Sequence, residues 1–410
     1  MTPLAVAKNL PRRALLSATQ LAWARSAVAT ERSFTCNASA RALSIRSSSV
    51  PAIRSKQQVR LMSSTTTSDG QDVPNVWEAV RVMNANDVST EERIAAIAVV
   101  KIDALEKLEK EQQAFEIIES NAVVALLEFL KDADSTEASH LLIPAFLSLI
   151  RLSVEPLIAQ ELVRLEAPAL MAHFLTALEP RLQAAASLTL GNIALDPTSE
   201  QAVSTPTVIE NVLHVLTSPH EAIQRAAATC LANIAAHRLV QERLCETTEA
   251  ITTLSELLTA EHSDALRSSA AFALGNILSG RDISAQDTLR ENGGLAELVM
   301  LLSPAFSEEV SSSAAWAIHH AVHLNHQSQS LIGEAGGLNL LVQQLSAATV
   351  QLQTNALLAL ESAVEAHVQN QAWCRTNNVV ELLQQVEQDD GDDMDDNAKR
   401  ALTAILHQLE

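Results

Sequence analysis

Tyrosine is absent from the 410 residues, aromatic residues make up only 3% of them, and there are just 10 glycines and 12 prolines. So little aromatic and turn-forming material argues against sandwiches, barrels and parallel-sheet enzymes. Four cysteines (Cys36, Cys230, Cys245 and Cys374) lie scattered with no C-x-x-C spacing, which speaks against disulfides and zinc sites and for small buried hydrophobes. No uninterrupted apolar run approaches the 18 or so residues that a spanning helix needs, so no membrane span is expected. Cations are scarce too: 28 Lys and Arg face 49 Asp and Glu, and a net charge of -21 leaves no excess to displace counterions from nucleic acid. G-x-S-x-G, H-E-x-x-H and glycine-rich phosphate loops are all missing, so neither catalysis nor a cofactor nor a metal is expected.

Alanine and leucine, which appear in almost every block of ten, fill the space instead and favour helix. Charge divides the chain. Residues 1–65 carry ten cations and a single anion, Glu31, which leaves 18 basic and 48 acidic residues in 66–410, a net of -30. An acid-poor leader rich in Arg, Ser and Ala is the composition of an organelle transit peptide, and Arg spaced through LPRRALLSATQLAWARSAV favours a mitochondrial address. Arg60-Leu61-Met62-Ser63 looks like a matrix-processing site. The alternative is a true start at Met62 and a cytoplasmic or nuclear protein, with residues 1–65 otherwise a disordered leader.

A motif returns along the body. LQAAASLTLGNIALD (182–196), IQRAAATCLANIAAH (223–237), LRSSAAFALGNILSG (266–280), VSSSAAWAIHHAVHL (310–324) and LQTNALLALESAVEA (352–366) align on Asn192, Asn233, Asn276, His320 and Ser362, at spacings of 41, 43, 44 and 42. Each copy follows an apolar helical run, and each run follows a short polar lead. One unit therefore reads as a short helix, a turn, a second helix, a break and a third helix. Gly293-Gly294, Gly336-Gly337 and Asn377-Asn378 supply left-handed residues at the first turn. Such units bury their apolar faces only by stacking on neighbours.

The three-helix unit, with its GNIA/ANIA ending and EAGGL turn, closely resembles the armadillo repeat. The resemblance covers about 112–410 and is firm over 182–366, with a linker and degenerate helical cap over 66–111. It extends back to LLIPAFLSLIRLS (141–153), which puts Arg151 in the Asn register, and forward to KRALTAILHQL (399–409) as the closing helix. It implies an all-α, right-handed superhelical solenoid whose third helices line a concave groove.

Within that frame Asn192, Asn233 and Asn276 share one register, and an interior helical Asn needs a reason to recur. The resemblance implies a ladder that hydrogen-bonds the backbone of an extended peptide; the other reading is that the amides cap their own helices or tie neighbouring repeats together. Import adaptors of this family place Trp one turn before each such Asn, whereas here the positions hold Leu188, Thr229, Phe272, Trp316 and Leu358, so only Trp316 fits, and its partner is His320. His319, His320, His323 and His326 form a histidine group that reads as surface or groove polarity rather than a metal site. EQDDGDDMDD (387–396) lacks EF-hand spacing and reads as a solvated loop. The function expected is a non-catalytic scaffold that binds a protein or peptide client, basic by charge complementarity. The alternative is a docking regulator, such as an Hsp70-type nucleotide-exchange factor or assembly chaperone, which would use rim and ends in place of the groove.

Overall fold

The computed structural model describes residues 65–66, 72–73, 76–83, 96–97, 110–133, 142–347, 349–390 and 394–410. Apart from Thr65, the basic leader lies outside these residues. So do most of the expected cap over 66–111 and positions 391–393 of the acidic run.

Two strands of two residues, β1 (Thr65–Thr66) and β2 (Asp72–Val73), pair antiparallel, a minor departure from an all-helical expectation. The rest of the described residues are helix and connection. After α1 (Val76–Met83) come α2 (Lys110–Glu119), α3 (Ala122–Ala133) and α4 (Leu142–Leu152), then α5 (Pro156–Arg164), α6 (Ala167–Phe174) and α7 (Pro180–Ile193). A 3-10 turn at Pro197–Ser199 leads into α8 (Glu200–Val203), α9 (Pro206–Leu216) and α10 (Glu221–Ile234). The next triplets are α11 (Arg238–Cys245), α12 (Glu249–Glu256) and α13 (Asp264–Leu278), then α14 (Ile283–Glu291), α15 (Gly294–Met300) and α16 (Glu308–Val322). The last are α17 (His326–Glu334), α18 (Gly337–Gln343) and α19 (Val350–Val364), followed by α20 (Val368–Thr376), α21 (Val379–Asp390) and α22 (Asp396–Leu409). The short-short-long rhythm is the one the sequence repeat predicts.

The described residues fall into two compact units, one comprising residues up to 171 with 192–202 and the other 172–191 with 203–410, so that the division runs through α7. In the first, Phe146, Leu149 and Leu152 of α4 are fully buried, and Ser148 Oγ donates to the Ile97 carbonyl at 3.0 Å.

In the second unit the long third helices pack in succession, α10 on α13, α13 on α16, α16 on α19 and α19 on α22. Every side chain of α13 from Leu266 to Leu278 is buried. Alanines at the contacts, such as Ala227, Ala228, Ala270 and Ala271, let the helix axes approach. The stack closes on α22, which buries Ala398, Ala401, Leu402 and Ile405 and turns Lys399, Arg400, Thr403 and His407 outward, as a terminal repeat requires.

Side chains set the helix boundaries. Ser263, Ser307 and Asp395 cap the third helices α13, α16 and α22, while Asp282, Asn325 and His367 cap the first helices α14, α17 and α20. Each accepts an orphan N–H of the first turn. Gly293 and Gly336, at φ 79° and 76°, and Asn378, at 55°, turn the chain between first and second helices where such residues were expected. Arg281, Leu324 and Ala366 take up φ values of 60°, 54° and 55° between a third helix and the next first helix, a use of the left-handed region that the sequence did not announce. A side chain there costs about 1 kcal/mol. Ala366→Gly, at an exposed turn, should therefore raise stability by about 0.5 kcal/mol net of the glycine's extra unfolded-state entropy, measurable as a small upward shift in urea midpoint.

Candidate functional site

The aligned Asn residues are buried. In the first unit Asn192, 4% exposed, donates through Nδ2 to the Ile150 carbonyl at 3.0 Å and to Ser153 Oγ at 3.1 Å. In the second unit Asn233 Nδ2 donates to the Gly191 carbonyl at 3.0 Å, and Asn276 Nδ2 to the Ala232 carbonyl at 2.8 Å. The acceptor is in each case the residue before the same register one repeat earlier. The amide nitrogens thus tie third helix to third helix, the second of the two roles open from the sequence.

The ladder changes chemistry at α16. His320 occupies the Asn register, but its buried Nε2 has no partner. Trp316, one turn earlier, takes over: its indole Nε1 donates to Asn276 Oδ1 at 2.9 Å and its ring meets His320 edge-on at 4.4 Å between centroids. Both ends of the Asn276 amide are therefore engaged. In the following repeat Ser362 Oγ lies 2.8 Å from His319 Nδ1, and that nitrogen is 2.9 Å from the Leu358 carbonyl. Since a carbonyl only accepts, the contact fixes the proton on Nδ1. The histidine group is thus not surface polarity alone. His320 is buried and His319 half-buried, while His323, in the turn, approaches Glu365 at 3.3 Å. Burial pulls the His319 imidazole down from 6.5 to about 4 and His320 well below its ordinary value, so both are neutral at pH 7.

A second ladder escaped the sequence reading. Gln286 of α14 donates Nε2 to the carbonyls of His320 and His323, and Gln329 of α17 does the same for Ser362 and Glu365. Both glutamines are buried and satisfy the C-terminal carbonyls of their own repeat's third helix. The signal was available: the two stand 43 residues apart, each three residues before a fully buried Leu289 or Ile332.

In the second unit Leu188, Thr229 and Trp316 are part-exposed, each one turn before the aligned residue of its third helix. Phe272 and Leu358 occupy the same position at 6% and 7% exposure. No three His, Cys, Asp or Glu side chains converge as a metal shell among the described residues, and no described helix is long and apolar enough to cross a membrane. Burial raises the Cys230 thiol strongly, Cys245 to about 11 and Cys374 to about 12, so none of the three is a thiolate at neutral pH.

Residues 167–275 match the family model described as HEAT repeats. Among solved structures, an engineered protein of the Northeast Structural Genomics Consortium aligns over 86% of this chain and 93% of its own, with a TM-score of 0.67 and 22% identity. A second from the same source covers 59% of this chain and 96% of its own at TM-score 0.54 and 26% identity. A designed armadillo repeat protein covers 58% and 99%, at TM-score 0.52 and 24% identity. No curated protein matches the chain.

Proposed function

We propose, for a chain that is an armadillo/HEAT-like repeat solenoid, that it is a non-catalytic scaffold holding an extended, basic protein segment along the third-helix face of its second unit. The observation that carries this reading is that Leu188, Thr229 and Trp316 are part-exposed at one shared position of their third helices, with the buried Phe272 between the last two. Positions that recur in one register suit an extended chain. The net -30 of residues 66–410 suits a basic one, drawn in by long-range attraction. With the nitrogens of Asn233 and Asn276 engaged between repeats, binding falls to the positions beside them.

The test uses labelled Lys- and Arg-rich 15-residue peptides titrated against the full chain at two salt concentrations. Binding is expected to weaken as salt rises, because screening shortens the reach of the acidic surface. Leu188→Arg with Thr229→Arg should reduce affinity at least tenfold, or about 1.4 kcal/mol, with some fall in the thermal melt because Thr229 Oγ1 also lies 3.2 Å from Ser269 Oγ of α13. Binding indifferent to that pair, or no binding at all, would overturn the proposal.

One observation favours docking of a folded partner on the rim instead. Leu324, in the turn after α16, and Ile283 and Val368, at the starts of α14 and α20, are 59%, 60% and 72% exposed where third helices lead into the next first helices. Ile283→Asp with Val368→Asp would abolish a rim complex and leave peptide binding along the third-helix face intact. The basic leader adds a separate proposal, a mitochondrial address in residues 1–62 that is removed on import. A chain lacking those residues should remain cytosolic on imaging, and the mature N-terminus should fall between about Phe34 and Ser68.

A further inference from the structure

The third helices of the second unit are joined in two chemically different ways. From α7 to α10 and from α10 to α13 the ties are amides, Asn233 and Asn276 to backbone carbonyls, and no proton-binding group takes part. At α16 the tie back to Asn276 is the Trp316 indole, and the tie forward to α19 is an imidazole. His320 fills the amide register with an unpartnered buried nitrogen, and His319 reaches the Leu358 carbonyl and Ser362 of α19. Towards the N-terminal ends of the same two helices the tie is again an amide, Asn355 Nδ2 to Ser312.

We propose that the C-terminal halves of α16 and α19 form an acid-sensitive joint, which opens locally below about pH 6 while the amide-tied seams before it stay closed.

The surroundings offer a new positive charge nothing to pair with. The charges acting on the two rings are Arg281 from the turn after α13, Arg400 from α22, and His323. The nearby carboxylates are already engaged: Glu361 takes Arg400 on both oxygens, at 2.9 and 3.3 Å, and Glu365 lies 3.3 Å from His323 Nδ1. From α14 comes only the neutral Gln286, on the carbonyl of His320. A proton added to His320 in its dry site, or to the half-buried His319, would sit near Arg281 or Arg400 with no free carboxylate beside it, whereas opening the joint hydrates it.

The sign follows. A histidine kept neutral by the fold binds a proton more readily once the joint is open, so the closed form is fully favoured above about pH 6.5 and loses ground as pH falls towards 4. For His319 alone, with a closed value of about 4, the open form gains about thirty-fold between pH 7.5 and pH 5.

Hydrogen exchange of the full chain at pH 7.5 and 5.0, corrected for the intrinsic chemical rate, tests this. Amides in the C-terminal halves of α16 and α19 should exchange about thirty-fold faster at pH 5.0, and those of α10 and α13 less than threefold faster. In a chain carrying H319N and H320N, which puts amides where the imidazoles stand, the selective acceleration should disappear. The wild-type comparison is decisive even if that variant fails to fold. Uniform acceleration of all third helices, no acceleration at α16, or acceleration that survives in the double variant would each overturn the proposal.

Discussion

Asn276→Ala should lower the stability of the second unit by about 3 kcal/mol. The side chain is 1% exposed and engaged at both ends, giving to Ala232 and receiving from the Trp316 indole. Truncation removes two hydrogen bonds worth about 1 kcal/mol each and leaves a part-buried indole N–H without its acceptor. A small cavity adds to the loss. Asn233→Ala, which removes the single bond to the Gly191 carbonyl, should cost about 1 kcal/mol. Urea midpoints followed by far-ultraviolet circular dichroism measure both. An Asn276→Ala chain that melts like wild type but no longer binds peptide would mean that the amide serves a ligand and not the stack.

A comparable loss is expected at Gly275. A Cβ built there would lie 2.3 Å from Trp316 Cδ1, 2.8 Å from its Nε1 and 3.2 Å from the Ala317 Cα. The indole cannot retreat and keep its bond to Asn276, so Gly275→Ala should cost about 2–3 kcal/mol, after the gain of about 1 kcal/mol that Ala brings to a helix interior. The clash is with one side chain, which makes the two sites non-additive. In a Trp316→Ala background, the same Gly275→Ala change should cost less than about 1 kcal/mol. Equal costs in the two backgrounds would place the strain in the backbone.

The repeat was legible because stacking leaves a period in the sequence. Alanines at the third-helix contacts, apolar runs before them and an Asn every forty-odd residues fix the array with no knowledge of its geometry. The sequence leaves the Asn register two roles, ligand or neighbour, and distance decides where the nitrogens go, because an amide within 3.0 Å of a carbonyl one repeat back is already engaged. Gln286 and Gln329 are not legible because a glutamine in AQDTLREN or SQSLIGE looks solvated; what buries them is the end of a helix more than thirty residues away. His320 is obscured for the opposite reason. A run of histidines at a helix end suggests surface, but the preceding Trp316 covers one of them from across a turn.

The two ladders divide the work of stability in a way that bears on cooperativity. The glutamines close a repeat upon itself, whereas the asparagines join it to the one before. In a one-dimensional chain of coupled units, the first set contributes to the intrinsic free energy of each unit and the second to the nearest-neighbour coupling. Weakening Gln329 should lower the midpoint of unfolding and leave the transition sharp. Weakening Asn233 and Asn276 together should broaden it, as partly folded arrays with a melted end become populated. The side-chain amides thus bear separately on the strength of each repeat and on its coupling to the next.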